Sequence, residues 1–132
     1  MKYFLLTLKF ASPIFFAVGA LHLIYGVGAD VMLGANLPPE AIQDPVLDSQ
    51  NRFYGIAFTL YGVLLYLCST NLERYSTVLR CVLWVFFFAG IARLVSIIFY
   101  GMPSNLVLAL LASEIILPPI LLLWLSRVEK ES

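Results

Sequence analysis

Charge is what this sequence has least of. Eight basic and eight acidic residues are spread over 132 positions, and the formal net charge is zero. No basic tract or tail is available to meet a phosphate backbone, which excludes nucleic acid as a partner. Histidine occurs once, and cysteine occurs only at Cys68 and Cys81, with no C-x-x-C pair. A lone imidazole with no thiol nearby does not make a metal centre. Two separated thiols do not make a disulfide relay, and both are expected as reduced, buried fillers. Nucleotide-binding glycine loops and activated nucleophiles are also missing, so the residues call for no cofactor and name no catalytic group.

What remains is oil. Hydrophobic residues make up 61% of the chain, leaving too little polar sequence for a water-soluble domain. Four apolar runs stand at about 10–33, 45–70, 78–100 and 105–125, each near the ~20 residues that cross a hydrocarbon core as a helix. The expected fold is therefore all-α: one integral membrane four-transmembrane-helix bundle over residues 1–132. The first run imitates a signal peptide, with Lys2 ahead of it and Val18-Gly19-Ala20 as a cleavage-like tripeptide. Lys9 interrupts that run, however, and it stays apolar past Ala20, so a retained helix is expected.

The basic residues orient the bundle. Lys2 and Lys9, Arg74 and Arg80, and Arg127 and Lys130 fall on one side of a four-span chain, whereas Asp30, Glu40, Asp44 and Asp48 fall on the other. By the positive-inside rule both termini are cytoplasmic and the acidic loop is external, which implies a multi-pass protein of the inner membrane. Trp84, Trp124, Tyr3 and Tyr75 suit the interfacial belt on the cytoplasmic side. The phenylalanine runs Phe15-Phe16 and Phe86-Phe87-Phe88 read as ordinary packing or lipid-facing groups.

Polar residues punctuate each run. Ser12-Pro13 reads as a helix start, and Asp44-Pro45 as an N-cap followed by proline at the first helical position. From there Asp48, Arg52, Gly55, Thr59, Gly62 and Tyr66 fall within about 40° of one line on the helix, with Asp48 and Arg52 at ion-pair spacing. This stripe is expected to face the bundle interior, towards Arg93 in the third run and Glu114 in the fourth. Counting from the external ends puts His22 and Arg93 roughly 12 Å deep and Glu114 roughly 15 Å deep, while Arg52 and Tyr54 lie near the rim. Arg93 and Glu114 should pair, because an intramembrane charge costs about 2.5–3.5 kcal/mol on insertion scales. Pro118-Pro119 removes two backbone donors and should bend the fourth helix.

These residues also resemble a family. An Asp-x-x-x-Arg-Phe-Tyr-Gly element matches Asp48, Arg52, Phe53, Tyr54 and Gly55. A Gly-Ile-x-Arg-x-x-Ser element matches Gly90, Ile91, Arg93 and Ser96, and Glu114 is followed by Pro118; His22 in "LHLIYG" fits as well. The set is similar to small bacterial four-helix membrane proteins grouped as a domain of unknown function, with a more distant similarity to DoxX-like four-helix proteins. The resemblance implies a fold and a bacterial membrane, and no reaction.

Three functions follow from the residues. The first is a binding module whose polar pocket, in the external half, takes a small amphipathic ligand such as a quinone, an isoprenoid or a lipid head group. Its candidate residues are His22, Asp48, Arg52, Tyr54, Arg93, Ser96 and Glu114. The second is a structural or accessory subunit, in which the charges hold helices or a partner membrane protein. The third is a membrane enzyme moving a proton between Glu114 and His22, a role for which no nucleophile or cofactor is at hand. Gly19, Gly26, Gly55 and Gly62 would permit close packing within the chain or in a homo-oligomer.

Overall fold

The computed structural model describes residues 1–131. Six helices follow one another: α1 (Lys2–Tyr25), α2 (Gly28–Met32), α3 (Pro39–Ile42), α4 (Pro45–Thr70), α5 (Leu72–Tyr100) and α6 (Asn105–Glu131). Among the described residues there is no strand. Four helices, of 24, 26, 29 and 27 residues, are long and apolar enough to cross a membrane. The short α2 and α3 belong to the loop between α1 and α4. One end of the bundle therefore carries both termini and the α4–α5 link; the other carries the loop and the turn at 101–104. They are called the termini end and the loop end below.

Local chemistry sets the helix limits. Asp44 caps α4, its Oδ1 accepting from Val46 N and Leu47 N at 3.0 Å each, with Pro45 behind it. Asn71 alone separates α4 from α5 and caps the latter, its Oδ1 accepting from Arg74 N at 3.0 Å. This is why α5 begins at Leu72, a full turn and more ahead of residue 78. Similarly, α1 begins at Lys2 rather than near residue 10. Phe4, Leu8, Ser12, Gly19 and His22 form its buried face, and Lys9 points away from it. Pro13 therefore stands inside α1, not at its start. The carbonyl it leaves without an N–H is that of Lys9, and the Ser12 hydroxyl donates to that oxygen at 3.0 Å.

The helices associate unevenly. α1 lies close along α4, α5 along α6, and α4 beside α5, whereas α1 and α6 have no comparable seam. The α1–α4 seam is the tightest, and the polar stripe of α4 lies in it. A Cβ placed on Gly55 would sit 2.7 Å from both Gly19 O and Leu23 N, and one on Gly62 would meet the Phe16 ring at 3.1 Å. The stripe thus faces α1 and not Arg93 and Glu114, and its small residues pack within the chain. In lipid such closeness matters more than apolarity, because tails compete equally for apolar surface and dispersion between fitted helices is what holds them.

At the loop end Arg52 anchors the end of α1. Its Nε donates to Asp48 Oδ2 at 2.8 Å, and its Nη1 donates to Leu23 O at 2.6 Å and Ile24 O at 3.3 Å. Those carbonyls belong to the last turn of α1, which stops at Tyr25 and leaves them without intrahelical donors. A cation there also meets the negative end of the helix dipole. Gly26 then turns the chain with φ 57°, and a Cβ at that position would collide with the Asp48 carboxylate. Arg52→Ala is expected to cost about 1 kcal/mol after allowance for solvent screening. It should also speed amide exchange in the residues around Gly26; unchanged exchange there would count against the cap.

The packed core sits at the termini end. Phe4 and Leu8 from α1, Leu65 and Cys68 from α4, Leu79, Val82 and Leu83 from α5, and Leu125 and Val128 from α6 interdigitate there. Arg80 of α5 and Glu129 of α6 pair beside it. Cys68 is a buried filler as expected, but Cys81 is exposed on the outer face of α5 and is not part of the core.

Candidate functional site

Above that core the bundle is hollow. A cavity of about 510 Å³ lies between α1 and α6, with α4 and α5 as its rear wall. α1 lines it with Thr7, Ala11, Phe15, Val18 and His22, and α6 with Leu106, Ala109, Ser113, Glu114 and Leu121. The residues on α1 recur at helical spacing along one face, so the cavity follows the axis for roughly 22 Å from Thr7 to His22. Its walls are overwhelmingly apolar, and its polar groups gather at the loop end.

Two ties close the cavity. At the termini end the rings of Phe4 and Trp124 meet edge to face, with centroids 5.1 Å apart. At the loop end Ser104, ahead of α6, donates from its hydroxyl to Leu33 O at 2.7 Å and so holds the segment after α2 over the opening. Asp30 and Leu33, from this covering segment, line the cavity as well. Between the two ties α1 and α6 form no close seam. Pro118 and Pro119 lie inside α6 along this wall. They remove the donors that Glu114 and Ile115 carbonyls would otherwise receive, which loosens α6 where it borders the cavity.

The rear wall is aromatic. Phe15 stacks on Phe86 at 4.8 Å, Tyr61 tilts against Phe86 at 4.8 Å, and Phe58 lies under the His22 ring at 6.0 Å. These rings are half-buried, and Phe15, Phe58 and Phe86 line the cavity, a place that the reading of Phe15 and Phe86 as ordinary packing or lipid-facing groups does not give them. The periodicity of Ala11, Phe15, Val18 and His22 on α1 was the signal available for them.

The polar end is built from two pairs. Arg93 Nε donates to Glu114 Oε2 at 2.7 Å, joining α5 to α6. Gly90, one turn earlier on α5, lets the helices approach, since a Cβ there would lie 3.2 Å from Glu114 Cβ. Across the cavity His22 Nδ1 lies 3.0 Å from Val18 O, and Nε2 lies 3.5 Å from Asp30 Oδ1. A carbonyl only accepts, so this contact requires the ring proton on Nδ1, and Asp30 faces the other ring nitrogen. His22 is 6% exposed and lies one turn from the end of α1, because the chain folds back at Gly26 and brings Asp30 down onto it.

The seven residues expected to share one pocket therefore divide. His22, Arg93 and Glu114 line one cavity. Asp48 and Arg52 pair with each other and with the end of α1, outside the cavity lining. Tyr54 and Ser96 are exposed, and neither lines it. Asp30 and Ser113 join the site instead. Asp30 had been read only as loop charge, because its approach to His22 depends on a backbone reversal that hydropathy does not report. Among the described residues no group of three or more His, Cys, Asp or Glu side chains is placed to hold a metal ion.

Four apolar helices around a membrane-depth cavity define a multi-pass membrane protein of the four-helix class. The chain belongs to the family described as Domain of unknown function (DUF4345), whose model matches residues 4–125. The match reaches into all four long helices and covers the loop with Asp30. It lends nothing to the DoxX-like similarity. No curated protein and no solved structure matches the chain.

Proposed function

We propose that this protein binds a small amphipathic molecule of the bilayer, apolar chain along α1 and polar end against Arg93 and Glu114. The observation that supports this is the cavity itself: about 510 Å³ of apolar space, within the range of small-molecule sites, with its charges at one end. Filling such a space with side chains would have been the cheaper way to stabilise a bundle, since an empty cavity forfeits dispersion contacts along its whole wall. The lack of a close α1–α6 seam gives a molecule already in the membrane a route that never crosses water.

In this reading the buried charges have separate tasks. Asp48 and Arg52 are structural, fixing the end of α1 and the start of the covering loop. Arg93, Glu114, His22, Asp30 and Ser113 form the polar end of the site. Six basic residues at the termini end, Lys2, Lys9, Arg74, Arg80, Arg127 and Lys130, favour placing that end in the cytoplasm of an inner membrane, with the covered end outside.

The test is occlusion. Ala109→Trp places a large ring at the α6 border of the cavity and Ala11→Phe fills it from α1. Lipid extracts of protein purified in mild detergent should contain a co-purifying small molecule, analysed by mass spectrometry. Both variants should lose it by about tenfold or more while the bundle keeps its helical content. Equal recovery from all three proteins, or none from the wild type, would overturn the reading.

A further inference from the structure

The charges around the cavity can be counted element by element. α1 contributes His22, α2 Asp30, α5 Arg93 and α6 Glu114; the lining from α4 carries none. Each basic group faces one carboxylate, Arg93 with Glu114 and His22 with Asp30, so no positive charge is left over. Arg52, the next nearest cation along the loop end, is committed to Asp48 and the α1 carbonyls.

Hydrogen-bonding capacity is nevertheless left over. Arg93 offers five N–H donors and makes one hydrogen bond, and Glu114 Oε1 makes none among the described residues. Both side chains line the cavity, and no buried side-chain polar atom is left without a partner. These unused groups therefore keep accessible surface. A donor and an acceptor stand side by side at the head of an apolar slot.

Resting on the cavity reading above, we infer that the ligand is a single-chain lipid with an uncharged, oxygen-bearing head, a prenol-type hydroxyl or a quinone-type carbonyl. A carbonyl oxygen accepts from the free guanidinium N–H groups, and a hydroxyl can also donate to Glu114 Oε1. A phosphate or carboxylate head would bring negative charge to a site whose cations are already paired, in surroundings that screen it poorly. An ammonium head would have to compete with His22 for Asp30 and with Arg93 for Glu114. The apolar tail runs beside Val18, Phe15, Ala11 and Thr7, a length of roughly 16 Å along α1.

A series with one tail and three heads tests this. Farnesol, farnesyl phosphate and farnesylamine are titrated into the full-length protein in phosphatidylcholine nanodiscs, with decylubiquinone as the carbonyl probe, and bound fractions are read by native mass spectrometry. Farnesol or decylubiquinone should bind about tenfold or more tightly than either charged probe. Whichever of the two is tighter assigns the head as hydroxyl or carbonyl. Glu114→Gln keeps an acceptor for Arg93 but frees its charge. This variant should raise farnesyl phosphate affinity by about tenfold, a gain that simple misfolding would not produce. If farnesyl phosphate or farnesylamine binds the wild type as tightly as farnesol and Ala109→Trp abolishes that binding, the uncharged-head inference falls and the cavity reading survives. If no probe distinguishes wild type from Ala109→Trp, both fall.

Discussion

Gly55→Leu is expected to lower the midpoint of thermal unfolding by about 10 °C or more. The new side chain has nowhere to go. Its first carbon would already lie 2.7 Å from Gly19 O and Leu23 N, and both belong to the backbone of α1. A flexible neighbour could swing aside; a helix cannot. To make room α1 must translate off α4, and that movement also pulls Leu23 and Ile24 carbonyls away from Arg52. The seam and the cap are lost together, so the cost exceeds ordinary overpacking. Gly28→Ala is the matched control, because a Cβ there meets only Tyr25 Cβ at an ordinary 3.6 Å. Thermal melts followed by circular dichroism in detergent would separate the two. Equal, small shifts for both would show that α1 and α4 are not held by this contact.

Arg93→Leu comes second, with an expected loss of about 3 kcal/mol. The substitution leaves the Glu114 carboxylate facing apolar walls with its cation gone. The side chain of Glu114 is 16% exposed, so little solvent is available in compensation. Replacing both residues, Arg93→Leu with Glu114→Leu, removes the stranded charge and should recover most of the loss, even though it removes the ion pair entirely. The exchanged pair, Arg93→Glu with Glu114→Arg, should recover part of it. Unfolding of these proteins and of Glu114→Leu alone, monitored by intrinsic tryptophan fluorescence, gives the coupling energy directly. Were Glu114→Leu to change stability equally in the wild type and in Arg93→Leu, Arg93 and Glu114 would be acting independently and the pair would have no structural role.

The α1–α4 seam and the hollow α1–α6 seam are two sides of one design. Small residues bring α1 against α4 so closely that α1 cannot also close on α6. The gap is bridged at its ends, by Phe4 and Trp124 and by Ser104 and Leu33. A bundle with four equal seams would have had a packed interior and no place for Arg93 and Glu114 to offer unused donors and acceptors.

Much of this was legible in the residues. Runs of apolar sequence near the thickness of a bilayer announce four crossings, because the membrane imposes one length on every span. Asp44-Pro45 announces the start of α4, since an N-cap acts on its own next two or three amides. The pairing of Arg93 with Glu114 follows from the cost of leaving either charge alone in lipid. Other readings failed for physical reasons. Lys9 and Pro13 looked like signs of a late start to α1, yet a lysine on an outward face and a proline whose orphaned carbonyl is met by Ser12 interrupt nothing. The polar stripe beginning at Asp48 looked like one wall of a pocket containing Arg93, whereas it is the contact surface for α1.

By itself, then, the sequence determined the number of crossings, the caps and the presence of costly charges that must find partners, all consequences of local chemistry and bilayer thickness. Only the tertiary structure decided which partners they find. The rotation of each helix about its axis and the choice of its closest neighbour are set by contacts such as Gly19 on Gly55, between residues far apart in the chain. Those contacts turned Arg52 towards the end of α1, brought Asp30 down onto His22, and left open the space that Arg93 and Glu114 face.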